Sequence, residues 1–227
     1  PSDYDVVTDA RPDRIQEIFP GAMGVGESFG VMLVRHRGHS VEVATFRSDG
    51  PYLDGRHPVS VTFSDERSDA ARRDFTVNAI FEDPATGALV DHFGGRADLG
   101  ARLLRAVGDP ADRMAEDHLR ALRAVRFASR FSLEIESGTA RAIRASAGDL
   151  RGLSRERIGG EIRRMFAHPS RGRAAHLLGI CWGQMVRIGV MEWLWSMQIV
   201  FGLVARLRRG TIIVCMLHRN MLKPEKC

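Results

Sequence analysis

The sequence predicts an α+β fold: a small sheet domain followed by an all-helical neck. Three observations predict it. Roughly the first hundred residues alternate short β-branched runs with Gly, Pro, Asp and Ser breakers. From Asp109 onward, apolar residues recur at three- to four-residue steps, as on an amphipathic helix. Near Gly179 the composition shifts again: the remainder holds all 3 cysteines, all 3 tryptophans and most of the 9 methionines. The domains read from these shifts are 1–108 (sheet domain), 109–180 (helical neck) and 181–227 (an unassigned tail). So abrupt a change suggests a different origin for the tail, such as a frameshift or a fusion.

The strands expected in order are Asp5 to Thr8, Val31 to Arg35, Ser40 to Phe46, Val59 to Phe63 and Leu89 to His92. A helix should follow the first strand, capped by Thr8 or Asp9, with Pro12 in its first turn and Pro20 past its end. Gly24 to Gly30 reads as a turn, since its glycines precede a strand rather than open a helix. In the neck, Leu119, Leu122, Val125 and Phe127 predict one helix over Ala115 to Phe131. Further helices are expected at about Gly138 to Ala147, Ser154 to Phe166 with Ser154 as cap, and Ser170 to Leu178. The apolar run from Ile188 to Ala205 is broken by Glu192 and Gln198, which favours a buried or poorly ordered helix over a membrane span.

A net charge of +5 and a pI near 9.7 suit a polyanionic partner. Only two of the 33 basic residues are lysines, Lys223 and Lys226. Arginine's planar fork suits phosphates and base edges better than lysine's point charge. The cysteines form no CxxC pair and have no histidine at zinc spacing, which argues against a structural zinc site. With no disulfide framework and no signal peptide, the expected location is cytoplasmic. The chain opens on Pro1, so residues are expected upstream.

Several motifs carry chemistry. In Asp3-Tyr4-Asp5, strand periodicity turns both carboxylates to one side, where they can hold hard divalent cations. Glu42, in an otherwise apolar strand, is a candidate third carboxylate. Around Phe75, the residues Arg72, Arg73, Asp74 and Asn78 can bind a triphosphate and a ribose; singly, they read as a charged helix end entering a buried strand. In Asp91-His92-Phe93-Gly94-Gly95-Arg96, the glycine pair permits a sharp turn and reads as a structural joint or hinge. In Glu116-Asp117-His118-Leu119-Arg120, helical spacing puts Asp117 and Arg120 on one face, with Arg123 and Arg126 extending the row. Such a pair is often only a solvated ion pair. It can also read a base, because a carboxylate only accepts and a guanidinium only donates. Cytosine and adenine both show an amino donor beside a ring-nitrogen acceptor, whereas guanine and uracil reverse that order.

Taken in order, DYD, EVATFR, YLDGRHP, RRDFTVNAI, DHFGGRADL, EDHLRALRAVRF and SRERIGGEIRRMF resemble the bacterial class II tRNA nucleotidyltransferase and poly(A) polymerase family. The resemblance covers about residues 1 to 180. It implies a polymerase-beta-like nucleotidyltransferase head, with Asp3 and Asp5 binding Mg²⁺ and Glu42 completing the carboxylate set. It implies that Arg72, Arg73, Asp74 and Asn78 contact the nucleotide or order its site. Glu116 then supports the templating pair Asp117 and Arg120, Arg123 and Arg126 hold phosphates or primer, and Arg157 stabilises the helical region near the site. The implied substrates are the tRNA 3′ end, CTP and ATP. Two departures stand out: the family's glycine-rich element before the aspartates is absent, and the helical body and tail that grip tRNA are missing or replaced after about residue 180. A-adding or poly(A) polymerase activity, and an inactive RNA-binding fragment, are the alternatives. Absence of a GRRF-like segment favours the tRNA enzyme, and presence of the Tyr52 to Pro58 loop argues against CC-only addition.

Overall fold

A computed structural model describes residues 6–26, 29–52 and 58–182. By its contacts the chain divides into Pro1–Cys181 and Trp182–Cys227, and the elements described are those of the first unit. The fold is α+β, as predicted. It opens with β1 (Val6–Thr8), α1 (Pro12–Ile18), β2 (Met23–Gly26), β3 (Val31–His36) and β4 (His39–Thr45). These strands form one sheet in the order β1-β4-β3-β2, with β1 parallel to β4 and the other pairs antiparallel.

The sheet's two faces differ in chemistry. Met32 and Val34 of β3 are buried against Ile15 of α1 and Ala22, with Val43 of β4 packed on the same cluster. Strand alternation turns the intervening residues to the other face. There Glu42 is paired in register with Leu33, and Val31 with Ala44. Helix α1 thus seals one face and leaves the other available for a site.

Two local expectations are corrected. Arg11, not Thr8 or Asp9, stands at the N-cap of α1 and makes no side-chain cap bond, while the Thr8 hydroxyl accepts from Ala10 N instead. Proline at the start of α1 lacks an N–H, so one donor fewer needs capping. The segment read as a turn from Gly24 begins within β2, an edge strand whose register shifts between Gly24 and Gly26. Glycine is tolerated at such an edge irregularity.

Beyond the sheet come β5 (Arg47–Asp49), β6 (Val61–Phe63), α2 (Glu66–Ala71), β7 (Ile80–Glu82), β8 (Leu89–Asp91), α3 (Gly95–Gly100) and β9 (Leu103–Leu104). Strands β5 and β6 pair, as do β7 and β8. The Asp91–Arg96 turn is pinned rather than hinged. The Asp91 carboxylate accepts from Phe93 N, Gly95 N and Arg96 N at 3.3, 2.9 and 2.9 Å. Gly94 has φ +75°, and a Cβ on Gly95 would lie 2.1 Å from Thr76 O, so each glycine is required for its own reason.

The neck contains α4 (Pro110–Glu116), α5 (Leu119–Arg130), α6 (Ser137–Ala145), α7 (Arg155–Ala167) and α8 (Arg171–Trp182). It also contributes β10 (Glu134–Ile135), which pairs in parallel with β9 at the end of the head. Ser154 caps α7 as expected. The single helix expected over Ala115 to Phe131 is two helices. Asp117 is extended, with φ −140° and ψ 103°, and its carboxylate accepts from Leu119 N at 3.1 Å. Aspartate competes well for backbone donors at such a position, and periodicity does not register that competition. Among the described residues, no helix is long and apolar enough to cross a membrane. The Ile188 to Ala205 run lies outside the described residues.

Candidate active site

The open face of the sheet borders a cleft of about 460 Å³, lined by residues from head and neck together. Glu42, Arg72, Asp117 and Arg120, all expected at the site, line it. Asp3 and Asp5 lie outside the described residues. Glu42 is exposed and makes no ion pair among the described residues. The strand beside it in the sheet, β1, begins one residue after the DYD segment, with Val6 opposite Val43. Among the described residues, no group of three metal-ligating side chains comes together.

Each arginine at the cleft is held by a carboxylate. The last turn of α2 presents Asp69, which accepts from Nε and Nη2 of Arg72 at 2.9 and 2.6 Å, and from the same atoms of Arg73 at 3.2 and 2.9 Å. Arg120, in the first turn of α5, donates to Glu116 Oε2 at 2.6 Å, to Arg113 O and to Arg72 O. Three of its five N–H groups are thus engaged, leaving two. Glu116 is shared with Arg113, whose Nη2 lies 2.6 Å from Oε1. Asp117 receives Arg157 Nη2 at 3.3 and 3.4 Å, a contact that spans from α7 to the break between α4 and α5. Asp117 and Arg120 therefore meet at the cleft without sharing one helix face; Arg120 N donates to Asp117 O at 2.9 Å, while the carboxylate and the guanidinium make no bond to each other.

Other expected residues sit behind the cleft. Buried Asp74 accepts from Phe75 N, from Asn78 Nδ2 at 2.9 Å and from Arg123 Nε at 2.7 Å. Arg123 thereby ties α5 to the head. Arg126 donates to buried Glu161 at 2.6 Å and lies 4.2 Å from the Phe127 ring centroid, and it is not among the cleft's lining residues. Arg73 also stands away from the lining, its guanidinium over the Phe81 ring.

Sequence reasoning missed Asp69, Arg113, Arg47 and Asp49. The signal for Asp69 was present: an acid three and four residues before two arginines on a helix. Arg47 and Asp49 come from β5, and the Asp49 carboxylate accepts the Tyr52 hydroxyl at 2.6 Å. Burial, then that hydrogen bond, pushes the Tyr52 phenol well above its ordinary pKa, so it stays a neutral donor. Burial and neighbouring Arg72 lower the pKa of Arg47 from the usual arginine value. Tyr52 also forms a bridge to Pro58.

Comparison with known proteins agrees with this geometry. Residues 1–105 match the poly A polymerase head domain. The CCA-adding enzyme of Geobacillus thermodenitrificans is 43% identical over 177 residues, 78% of this chain and 44% of that protein. That of Bacillus licheniformis is 42% identical over 173 residues, 76% of this chain and 43% of the relative. The crystal structure of the Bacillus stearothermophilus CCA-adding enzyme in complex with CTP matches with a TM-score of 0.70 at 39% identity, covering 78% of this chain and 42% of that one. The chain spans less than half the length of the curated relatives it matches. Residues 1–105 thus match the poly A polymerase head domain, in a chain that is similar over about three quarters of its length to CCA-adding enzymes.

Proposed function

We propose that this chain carries the catalytic head (1–108) and base-recognising neck (109–180) of a template-independent tRNA nucleotidyltransferase. It would add C and A, from CTP and ATP, to the tRNA 3′ end. The observation that carries the reading is the meeting of Asp117 and Arg120 at one cleft with Glu42 and Arg72. A carboxylate acceptor beside a guanidinium with two free donors matches the amino group and ring nitrogen shared by cytosine and adenine.

In the proposed reaction the primer's 3′ oxygen forms a bond to the α-phosphorus as the bond to the pyrophosphate oxygen breaks. Asp3, Asp5 and Glu42 would hold divalent cations, Mg²⁺ by expectation; an exposed carboxylate free of ion pairs among the described residues is a fitting hard-oxygen donor. Such ions supply charge that lowers the hydroxyl's pKa and offsets negative charge on the departing pyrophosphate. Arg72 faces the triphosphate with the N–H donors that Asp69 leaves free. Arg157 and Glu116 keep the base-reading pair in place, so selectivity requires no template. Poly(A) addition uses the same chemistry and differs in product.

Incubating the chain with Mg²⁺, a tRNA lacking its CCA end and each nucleotide singly and together, then sequencing the new 3′ ends, tests this reading. The expected product gains two cytidines and one adenosine and then stops. A single A or an A-tract would assign an A-adding enzyme or a poly(A) polymerase instead. No incorporation would remove the catalytic reading and leave an RNA-binding fragment. Asp117→Ala or Arg120→Ala is expected to relax the preference for C and A over G and U, and an unchanged preference would sink the base-reading role.

A further inference from the structure

We propose that Asp69 is a positioning residue that commits Arg72, rather than Arg73, to the incoming nucleotide. The inference rests on the nucleotidyltransferase reading above. Asp69 is 0% exposed, yet its carboxylate faces two guanidinium groups. Its two oxygens part them. Oδ1 accepts only from Arg72 among the two, and Oδ2 only from Arg73. The outcome for each arginine differs. Arg72 lines the cleft, while Arg73 lies 5.7 Å from the Phe81 ring centroid and does not.

The electrostatics follow from the stoichiometry. One carboxylate against two guanidinium groups leaves a surplus positive charge at the edge of the cleft, where partial burial screens it less than bulk water would. Asp69 engages two donors of Arg72. Three of its five N–H groups remain for an anion. Arg73 stabilises the buried carboxylate that would otherwise be neutralised by Arg72 alone, and so keeps Arg72 available. Oδ1 of Asp69 also lies 3.3 Å from Arg47 N, at the start of β5. The same carboxylate therefore sets the arginine against the start of β5, the strand that also carries Asp49. It does not touch Asp117, and its link to Arg120 runs only through the Arg72 carbonyl.

The test is equilibrium binding of CTP to the full chain, with steady-state kinetics on the tRNA substrate. Asp69→Asn replaces an acceptor by an amide and frees Arg72. The expected result is CTP binding weakened by about ten-fold or more, the scale of a lost charged hydrogen bond. KM for CTP should rise in parallel, kcat should fall less, and the preference for C and A should persist. Arg72→Lys should weaken CTP binding more than Arg73→Lys, and an equal or larger effect at Arg73 would overturn the assignment. A merely structural Asp69 would lower the unfolding midpoint of the asparagine variant and leave its CTP affinity at the parent value, which overturns the proposal. Should Asp69→Asn not fold, Asp69→Glu keeps the charge and moves it by one methylene. Weakened CTP binding there supports positioning, and parental affinity refutes it. A parent chain that binds no CTP defeats the nucleotidyltransferase reading and this inference together, whereas a binding parent with equally binding variants defeats only this inference.

Discussion

Glu136 shows how one side chain can order a junction. At the N-cap of α6, its carboxylate accepts from Gly138 N and Thr139 N at 2.8 and 2.9 Å. Those backbone donors hold its pKa down to about 2 from an ordinary 4.5. Because the folded value lies below the unfolded one, its stabilisation is complete above the unfolded value and is lost as pH falls towards the folded one. Parent and Glu136→Gln should therefore differ in thermal midpoint near neutral pH, and the gap should close between about pH 4.5 and about pH 2. A gap independent of pH would mean that the carboxylate's charge is not what caps α6. Sequence pattern alone did not single out Glu136, because glutamate is a less common N-cap than Ser, Thr, Asp or Asn. Ser154, which is one of those four, was readable and caps α7. Asp69 was legible in principle from its spacing to Arg72 and Arg73, but spacing cannot say that a carboxylate is fully buried. The order of the family motifs pointed to Glu42, Arg72, Asp117 and Arg120, while the different fates of Arg72 and Arg73 required the fold.

Elements here are fixed by close backbone contacts as much as by apolar faces. Gly95, at the start of α3, packs so tightly on the 76–78 turn that a methyl group would overlap both Thr76 O and Thr76 C. Gly95→Ala should cost about 3 kcal/mol in urea unfolding. Gly100→Ala, at the other end of α3, places its methyl where no atom lies within 4 Å, and should be neutral or stabilise by up to about 1 kcal/mol. Equal effects at the two glycines would show that the Thr76 contact is not restrictive. Between α5 and α7, Glu161 is 1% exposed and receives both Arg126 and Arg164. Glu161→Ala strands Arg126 and should destabilise by about 3–5 kcal/mol, measured in the same way. Long periodic segments such as α5 and α7 were legible because 3.6-residue repeats persist over several turns. The short strands β5, β7, β9 and β10 were not: β1, β6 and β8 are as brief but lie in β-branched runs such as Val-Val-Thr, which Arg47–Asp49 and Leu103–Leu104 lack. The break at Asp117 escaped notice because apolar spacing continues across it.

Across the whole molecule, head and neck are joined by groups from both sides. Arg113 donates to Ala71 O, Arg123 to Asp74, and the Phe127 ring meets Phe75 edge-on at 5.9 Å. With these contacts, head and neck are expected to unfold as one cooperative body. Slowly exchanging amides of β4 and α5 should open with free energies within about 1 kcal/mol of each other by hydrogen exchange. A neck that opens well before the sheet would contradict this. The α+β class was legible from composition and periodicity, but the neck read as all-helical contributes strand β10, whose two residues carry no period. The cleft was not, because its walls come from positions as distant as Glu42 and Asp117 that only the tertiary fold brings together. The pairing of β10 with β9 has a further consequence. The chain leaves β9 after Leu104, runs through α4 and α5, and returns at Glu134, where Glu134 N bonds Arg102 O at 2.7 Å and Glu136 N bonds Leu104 O at 3.0 Å. The excursion is fastened at its own root, like a bight of rope lashed where it begins. Asp117 and Arg120 therefore ride on a tethered bight, a segment made fast to β9 at both of its ends.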